Sequence, residues 1–439
     1  MRDPDGSLEF RGDELIRRVN AASAARSFLR LPVAAELQQL GLLVPFTEVS
    51  GTELRLQKIP FVSAPFEWCD AQFRSAADLT LDISSRVRTA GYELKDAACW
   101  NVIFHGCKPL FCDHLSFQPI TTRQWWAFGQ FLRHFVFPLQ VSHTTGLRAA
   151  RLFRLSRDGL QAAEARHLLG WRRFFTRVWP LLMLGDKTAS QAPAHRVEPK
   201  GGHIGGLHAN LYSFCAWALA KHAPPRQTKS VWINYTATRS HYAQDAQQQK
   251  LQTVAGWLDL AKPGRLIDYG ANTGEYSQLA AAKGISVVAI EQDHECVTRI
   301  FRESGGSRLI APVFSNLGDL CGGAGWLGTE HSSLFSRLRS YADMVLMLAV
   351  IHHLAISESI PLELIADLAA DSSRDYAIIE FIGERDPMVH TLAMQRNRDV
   401  GDFSMALQQA AFQRRFQFAD AVELSGTGRR LVLMRKLSP

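Results

Sequence analysis

The stretch RLIDYGANTGEYSQLA, residues 265–280, constrains the fold of this chain more than any other feature of the sequence. Its apolar start predicts a short buried strand, the glycines at 270 and 274 predict a sharp turn, and the remainder predicts a helix. This order is typical of α/β proteins that bind a nucleotide, because the helix N-terminus presents free amide groups to the ligand. The turn reads Gly-Ala-Asn-Thr-Gly, whereas a dinucleotide fold would show G-x-G-x-x-G. The sequence therefore predicts a nucleotide site whose ligand has to be identified from other residues.

The chain continues from this loop as an alternation of strands and helices. Apolar, β-branched runs predict five strands, at 265–269, 285–290, 308–314, 342–350 and 376–382. Helical patterns lie between them, at 276–283, 294–302 and 362–370. This alternation predicts an α/β fold class with a doubly wound, mostly parallel Rossmann-like sheet, whose ligand lies beyond the carboxyl ends of the strands. Two final runs, 416–424 and 429–437, are joined by Ser-Gly-Thr-Gly and predict an antiparallel hairpin.

Two residues narrow the choice of nucleotide. Glu291 ends the second predicted strand, 21 residues after Gly270. A carboxylate there accepts hydrogen bonds from the ribose hydroxyls of an adenosine group and repels the 2′-phosphate of NADP. Asn272 stands where a pyrophosphate-binding loop has its second glycine, which disfavours NAD. Through Asp268-x-Gly-x-Asn-x-Gly274, Glu291 and the terminal hairpin, the C-terminal half resembles the class I methyltransferases that depend on S-adenosyl-L-methionine (SAM). A Rossmann-like domain without a nucleotide is the alternative.

The resemblance implies SAM as cofactor and a cofactor-binding role for six residues: Asp268, Gly270, Asn272, Gly274, Glu291 and Asn316. Asp268 and Gly270 would lie along the methionine part of SAM, and Glu291 would hold the ribose. Asn272 and Gly274 would shape the turn. Members of the family often carry an aspartate after the third strand to contact adenine, and this chain offers Asn316 or Asp319 at that point.

The acceptor chemistry is expected after the fourth strand, where the sequence reads LAVIHHLAIS with His352 and His353 adjacent. Either histidine could act as the general base of an O-methyltransferase, because imidazole accepts a hydroxyl proton near neutral pH. The alternative is a packing role beside the cofactor. The run IIEFIGERDPM contributes Glu380, Glu384 and Asp386, which could orient a polar acceptor, although a solvated strand end is the favoured interpretation.

The N-terminal half carries a second pattern, in residues 79–117. The sequence predicts a helix, a turn at Gly91 and two short strands flanking His105-Gly106. The spacing of Asp96, Asn101 and Asp113 resembles the catalytic stretch of kinase-like phosphotransferases, in which these residue types act as base and magnesium ligands. No glycine-rich phosphate loop precedes them. A degenerate kinase-like remnant and a hairpin with three coincidental polar residues both remain open.

The two halves together resemble one bacterial family, which includes a rhizobial nodulation protein that affects host specificity. The segment LKDA…NV.F…G.P.F.D.LSF in the first half and IHHL…IIEF…DPM in the second carry this resemblance. We expect an α+β N-terminal accessory domain over 1–145, for which a degenerate kinase-like fold is one interpretation. A helical connector and linker over 146–230 and a class I methyltransferase domain over 231–439 are expected to follow. A helix within 235–258 is expected to lie over the SAM pocket.

Composition and charge limit the remaining possibilities. The net charge of +7 is weak evidence for a nucleic-acid partner. Seven scattered cysteines without a C-x-x-C pair favour reduced thiols in a cytoplasm over disulfides or a metal site. No apolar run approaches the roughly 18 residues of a membrane span, and the N-terminus lacks an apolar signal segment. In LLGWRRFFTRVWPLLML, residues 168–184, arginines alternate with aromatics. Packing at the edge of a core is favoured there over a membrane surface.

The sequence therefore predicts a cytoplasmic SAM-dependent methyltransferase that acts on a hydroxyl or carboxyl of a small molecule or glycan precursor, in nodulation or secondary metabolism. A SAM-binding regulatory protein without catalysis is one alternative. An RNA methyltransferase is another.

Overall fold

The computed structural model describes residues 4–122, 124–188, 204–220 and 244–438. The chain divides into two compact units, Met1–Thr228 and Lys229–Pro439. The domain limits at residues 145 and 230 stay a prediction. Among the described residues, no helix combines the length and the apolar character that crossing a bilayer requires.

The first unit mixes short strands with helices. Its strands are β1 (Gly6–Arg11), β2 (Glu14–Val19), β3 (Phe46–Ser50), β4 (Glu53–Leu56), β5 (Tyr92–Leu94), β6 (Val102–His105), β7 (Lys108–Phe111) and β8 (Phe117–Pro119). Its helices are α1 (Ala25–Phe28), α2 (Pro32–Gln39), α3 (Asp70–Thr89), α4 (Phe128–Phe131), α5 (Phe137–Thr145), α6 (Ala149–Leu155), α7 (Ala162–Leu169), α8 (Trp179–Thr188) and α9 (Ile204–Ala220). Strands β1 to β4 form an antiparallel sheet in the order β1-β2-β4-β3, while β5 pairs with β8 and β6 with β7.

Helix α3 is the central helix of this unit. It begins where the Gln72 side chain accepts a hydrogen bond from the Cys69 N–H, a reciprocal cap of the kind that fixes helix starts. Residues at helical spacing, Phe73, Ala77, Thr80 and others, are buried along one face. The helix ends before Gly91, which has a φ of +78°. The predicted helix, the turn at Gly91 and the hairpin around His105-Gly106 are confirmed.

The second unit alternates strand and helix. Its strands are β9 (Arg265–Tyr269), β10 (Ser286–Glu291), β11 (Ile310–Phe314), β12 (Ala342–Met347), β13 (Ser373–Ile382), β14 (Phe416–Leu424) and β15 (Arg429–Lys436). Its helices are α10 (Gln244–Ala261), α11 (Glu275–Ala282), α12 (His294–Glu303), α13 (Leu334–Leu338), α14 (Leu362–Ser372), α15 (Pro387–Gln395) and α16 (Met405–Gln413). Apolar side chains from its strands, including Leu266, Val287, Leu346, Ile378 and Leu433, form the core.

The seven strands form one sheet in the order β11-β10-β9-β12-β13-β15-β14. The first five run parallel, and the hairpin of β14 and β15 adds antiparallel strands beside β13. The strand order reverses between β9 and β12, so the crevice beyond their carboxyl ends is the switch point of the sheet. A parallel sheet closed by such a hairpin is the class I methyltransferase fold, and the predicted fold class is confirmed for this unit.

The fourth predicted strand ends earlier than the apolar pattern indicates. Strand β12 stops at Met347, whereas the apolar pattern predicts a strand to residue 350. Ala349 has a φ of +56°, a left-handed conformation that a side chain other than glycine adopts only under constraint. The apolar residues that follow Met347 therefore leave the strand and line a pocket at the carboxyl edge of the sheet.

Candidate functional site

A pocket lies at the carboxyl ends of β9, β10 and β12, at the switch point of the second unit. Five of the six predicted cofactor residues line it: Asp268, Gly270, Asn272, Glu291 and Asn316. Further lining residues include Lys250, Tyr276, Gln292, Leu348, Ala349, Val350, His353 and Leu354. The structure thus brings these predicted residues together in one pocket, although Asp268 and Asn316 lie 48 positions apart in the sequence.

The glycine loop has a backbone that other residues would not adopt easily. Gly270 has a φ of +74° and Gly274 a φ of +85°. A Cβ at Gly270 would lie 2.2 Å from Val350 Cγ2, so the absence of a side chain lets the loop approach the β12 end. A Cβ at Gly274 would lie 2.8 Å from Ile300 Cγ1. Gly274 therefore packs the loop against α12, which explains why it shapes the turn without lining the pocket.

Glu291 is held in position by the backbone of two loops. Its carboxylate accepts hydrogen bonds from the Asn272 N–H and the Asp293 N–H, both at 2.8 Å. Burial raises the pKa of this carboxyl group above its ordinary value, and the backbone donors oppose that shift. Each carboxylate oxygen can accept more than one hydrogen bond, so the group retains acceptor capacity toward ligand hydroxyls.

Asp268 lies at the floor of the pocket, near the end of β9. Its carboxylate accepts a hydrogen bond from Ser277 Oγ at 2.7 Å. Burial raises the pKa of Asp268 to about 6, while Ser277 and Lys250 act in the opposite direction. The Lys250 ammonium, supplied by α10, lies 5.2 Å from the centre of the Tyr276 ring. A carboxylate kept in this buried position suits a cationic ligand group, because the ligand charge would offset the desolvation.

A network of buried ion pairs extends from Lys250 away from the pocket. Lys250 Nζ lies 2.6 Å from one oxygen of Glu380, and Arg429 Nη1 lies 3.2 Å from the other. Arg429 Nε also pairs with Asp386 at 2.8 Å. The interpretation of 380–386 as a solvated strand end is wrong for Glu380 and Asp386, which are buried, and right for Glu384, which is exposed. Glu380 is buried because β13 pairs on both sides and its charge is matched by two cations.

The two adjacent histidines have different surroundings. His353 lines the pocket, whereas His352 is only 2% exposed and its Nδ1 has no hydrogen-bond partner among the described residues. Burial lowers the pKa of His353 to about 4 and lowers the pKa of His352 well below its ordinary value. Both rings are therefore neutral at neutral pH. The strained turn at Ala349 and the π-helix from His353 to Ser357 give the pair this arrangement.

The two candidate residues for contacting adenine, Asn316 and Asp319, also differ in their position relative to the pocket. Asn316 lines the pocket, and its Oδ1 accepts a hydrogen bond from the Gly318 N–H at 2.9 Å. Asp319 is exposed and is not among the residues that form the pocket wall. The sequence reasoning missed Lys250, Tyr276 and Ala349. Lys250 is 18 residues before Asp268 on a helix of unremarkable composition, so no local pattern marks it.

In the first unit, Asp96, Asn101 and Asp113 lie on adjoining loops around β6 and β7. Asn101 Nδ2 donates to the Asp96 carbonyl at 3.2 Å, and the Cys112 N–H donates to the Asn101 carbonyl at 2.8 Å. The Asp96 and Asp113 side chains accept hydrogen bonds from the Ala98 and Leu115 N–H groups, two residues further along. These contacts are those of ordinary turns. The kinase-like interpretation stays a prediction.

With the fold and pocket established, comparison with known proteins adds a relative of nearly full length. No family model matches the sequence. The chain is 28% identical to Nodulation protein NoeA of Rhizobium meliloti (strain 1021), over 94% of this chain and 91% of the relative. This similarity confirms the predicted resemblance to a rhizobial nodulation protein.

Solved methyltransferase structures match a little under half of the chain. Magnesium protoporphyrin IX methyltransferase (ChlM) from Synechocystis PCC 6803, solved with bound SAH, is 17% identical with a TM-score of 0.32, covering 44% of this chain and 84% of its own. N-methyltransferase NodS from Bradyrhizobium japonicum WM9 is 9% identical with a TM-score of 0.32, covering 44% and 97%.

Proposed function

We propose that the second unit binds SAM in the pocket at the switch point and transfers its methyl group to an acceptor hydroxyl. The observation that carries this proposal is the convergence of Asp268, Gly270 and Glu291 on one pocket in a sheet of class I methyltransferase order. These residues fit the cofactor. The buried carboxylates suit a cationic amino acid part and two ribose hydroxyls, and the missing Cβ of Gly270 lets the loop lie close against Val350 at the pocket wall.

Within this proposal each residue has one task. Asp268 faces the ammonium group of the methionine part, Glu291 accepts from the ribose hydroxyls, and Asn316 contacts the adenine edge. Bound SAM would supply an electrophilic methyl group. The remaining contribution of the protein is alignment, since holding acceptor and donor in contact accounts for a large part of such a rate enhancement.

His353 is the better candidate for general base of the two histidines. It lines the pocket and is neutral at neutral pH, so it can accept a proton from an acceptor hydroxyl. A pKa of about 4 makes it a weak base, however, and this favours the second candidate function, a SAM-binding regulatory protein in which both histidines only pack. A carboxyl acceptor would need no base, because a carboxylate carries no proton to remove.

The setting of the reaction is also a proposal. The relative at 28% identity is a nodulation protein, which supports a setting in nodulation. Within this proposal the acceptor is a small molecule or glycan precursor, and secondary metabolism is the alternative setting. The seven cysteines are free thiols, which supports a cytoplasmic location. An RNA acceptor gains no support from the residues of the pocket.

Calorimetry with SAM, its demethylated product and NAD tests the cofactor. We expect the first two to bind and NAD not to bind. Incubation with methyl-labelled SAM and fractionated cell extract then tests catalysis. Label in a small-molecule fraction supports the enzyme, and SAM binding without transfer to any fraction supports the regulatory protein. Absence of SAM binding would overturn both.

A further inference from the structure

The segment that follows α7 in the first unit exposes a cluster of large aromatic side chains. Trp171, Phe174, Phe175 and Trp179, here called the aromatic ridge, are 67%, 53%, 81% and 44% exposed. The rings form two contacting pairs, with centroids 5.7 Å apart for Trp171 and Phe175 and 6.1 Å apart for Phe174 and Trp179. The interpretation of this segment as packing at a core edge is therefore wrong for these four side chains.

Other residues of the same segment pack it against the rest of the unit. Leu169, Thr176, Val178 and Leu182 are all buried and hold the segment against the rest of the unit. The aromatic ridge thus contributes little to the core of the described chain. A contiguous exposed apolar cluster of this kind marks an interaction surface more often than a random feature of a monomer.

The net positive charge of the chain is concentrated in the stretch of sequence that contains the ridge. Residues 148–177 contain eight arginines against one aspartate and one glutamate, a net charge of +6, while the whole chain carries +7. The rest of the chain is therefore nearly neutral, and the basic residues are not evenly spread. Arg172 is exposed, and it lines one groove together with Trp171, Phe175 and Arg177. The ridge therefore combines apolar rings with neighbouring arginines, Arg172 and Arg177 in the groove and Arg173 over the Phe174 ring.

A lipid surface with anionic headgroups fits this combination better than the alternatives. Trp and Phe side chains bind at the level of the headgroups, and arginines beside them attract anionic lipids. Single-stranded nucleic acid stacks its bases on open ring faces. Here the Trp171 and Phe175 rings meet edge to face at 83°. Leu168 and Met183, near the ridge along the chain, are 39% and 43% exposed, and aliphatic side chains favour lipid over bases.

We propose that the aromatic ridge docks this protein on an anionic lipid surface, with its rings among the headgroups and Arg172 beside the anionic groups. This binding is peripheral, and it is independent of the proposed methyl transfer. An acceptor that resides in or near a membrane would then be presented to an enzyme held at the same surface.

Sedimentation of the full chain with vesicles tests the proposal. We expect binding to vesicles of phosphatidylcholine mixed with phosphatidylserine and little binding to phosphatidylcholine alone. The double variant Trp171→Ala/Phe175→Ala should weaken binding by at least about tenfold, since apolar area drives insertion. Arg172→Glu should weaken it by about fivefold or more, and added salt should reduce the difference.

Matched controls are available in the second unit. Trp326 and Leu327 are 62% and 81% exposed, so Trp326→Ala/Leu327→Ala removes a comparable apolar area. Arg396→Glu changes the charge of an exposed residue by the same amount as Arg172→Glu. Both controls should bind vesicles like the unaltered protein. Thermal unfolding checks each variant, and Arg172→Glu decides the test if the double variant does not fold.

Several outcomes would overturn the proposal. These are no binding to either vesicle, equal binding to both, or equal losses in ridge and control variants. Self-association that the ridge variants abolish, without vesicle binding, would assign the surface to a second copy of the chain. Ridge-dependent binding to a polyuridine probe without vesicle binding would assign it to nucleic acid.

Discussion

Carboxylates occupy loop positions in both units of this protein, but their surroundings differ. In the second unit, Asp268 and Glu291 are buried beside a pocket, and burial raises the pKa of both. In the first unit, Asp96 and Asp113 are half-buried, and each accepts a hydrogen bond from an N–H group two residues further along. Residue type alone therefore does not distinguish a ligand site from a turn.

The difference shows what a ligand site requires. A buried carboxyl group with a raised pKa lowers stability, and its presence beside a pocket therefore favours a ligand site over a packing role. A half-buried carboxylate that caps a turn is explained by the turn itself. The pocket of the second unit is thus the better supported site, and each of the following experiments tests this contrast.

The largest effect is expected at the histidine pair. His353→Ala should lower the methyl-transfer rate by about 100-fold or more, because general base catalysis is worth that much, while SAM affinity is kept. His352→Ala should act mainly on thermal stability. Single-turnover rates and calorimetry separate the two, with the exposed His390 changed to Ala as control. Equal, mild losses at 352 and 353 would leave both with a packing role.

Removal of the carboxylate proposed to hold the ribose should have the next largest effect. Glu291→Ala should weaken SAM binding by about 1 to 3 kcal/mol, because buried ligand hydroxyls lose their acceptor. Asp96→Ala, at the corresponding kind of position in the first unit, should leave SAM affinity unchanged. Calorimetry measures both. An unchanged affinity in Glu291→Ala would remove this residue from the site.

A steric change in the glycine loop should have a smaller effect. Gly270→Ala introduces a Cβ against Val350, and we expect SAM binding to fall by about tenfold as the loop moves. Gly284→Ala is the matched control, because Gly284 has a φ of +80° and no atom within 4 Å of an added Cβ. Both variants should lose stability from the backbone conformation, but only the first should lose SAM. Equal SAM affinities would show that the loop does not need this close approach.

The pH dependence of binding tests Asp268. Its pKa of about 6 means that the carboxyl group becomes protonated below pH 6, so SAM affinity should fall up to tenfold per pH unit there. In the free protein, the effect of Asp268 on the pH dependence of the unfolding free energy has the opposite sign to that of a salt-bridged aspartate. The raised pKa lowers the free energy of unfolding as pH rises from about 4 to 6, and this contribution is constant above that range.

Asp268→Asn supplies the control for both measurements. We expect the pH dependence of SAM affinity near pH 6 to become flat in this variant. The difference in unfolding free energy between the two proteins should change between pH 4 and 6. A persistent inflection near pH 6 in the variant would assign the titration to another group.

The smallest effect is expected in the first unit. Asp113→Ala should lower the free energy of unfolding by about 1 kcal/mol, the value of one lost hydrogen bond to the Leu115 N–H. We expect no saturable, magnesium-dependent ATP binding, because the sequence before these loops has no glycine-rich phosphate loop. ATP binding that Asp113→Ala abolishes would establish a second nucleotide site. The loop carboxylates of the first unit would then serve a ligand, as is proposed for those of the second unit.

The sequence alone determined the sheet of the second unit. Apolar runs, whether alternating or unbroken, are local signals of a strand. The first strand, predicted over 265–269, has these same limits in the structure. The glycine loop and Glu291 were also readable, because backbone geometry at a strand end restricts which residues fit. The hairpin was marked by its turn residues.

Only the tertiary structure decided which other groups surround the pocket. Lys250 and Glu380 are 130 positions apart, and their pairing depends on how α10 packs over the sheet. The distinct surroundings of His352 and His353 depend on the turn at Ala349. The left-handed backbone of this turn cannot be predicted from the residue type, because alanine rarely adopts it. The exposure of Trp171 and Phe175 was likewise undetermined, because arginine-aromatic segments have the same composition at a core edge and at a free surface. Local sequence specifies periodicity and turns, whereas burial and charge pairing arise from residues that are distant in the chain and meet only in the folded protein.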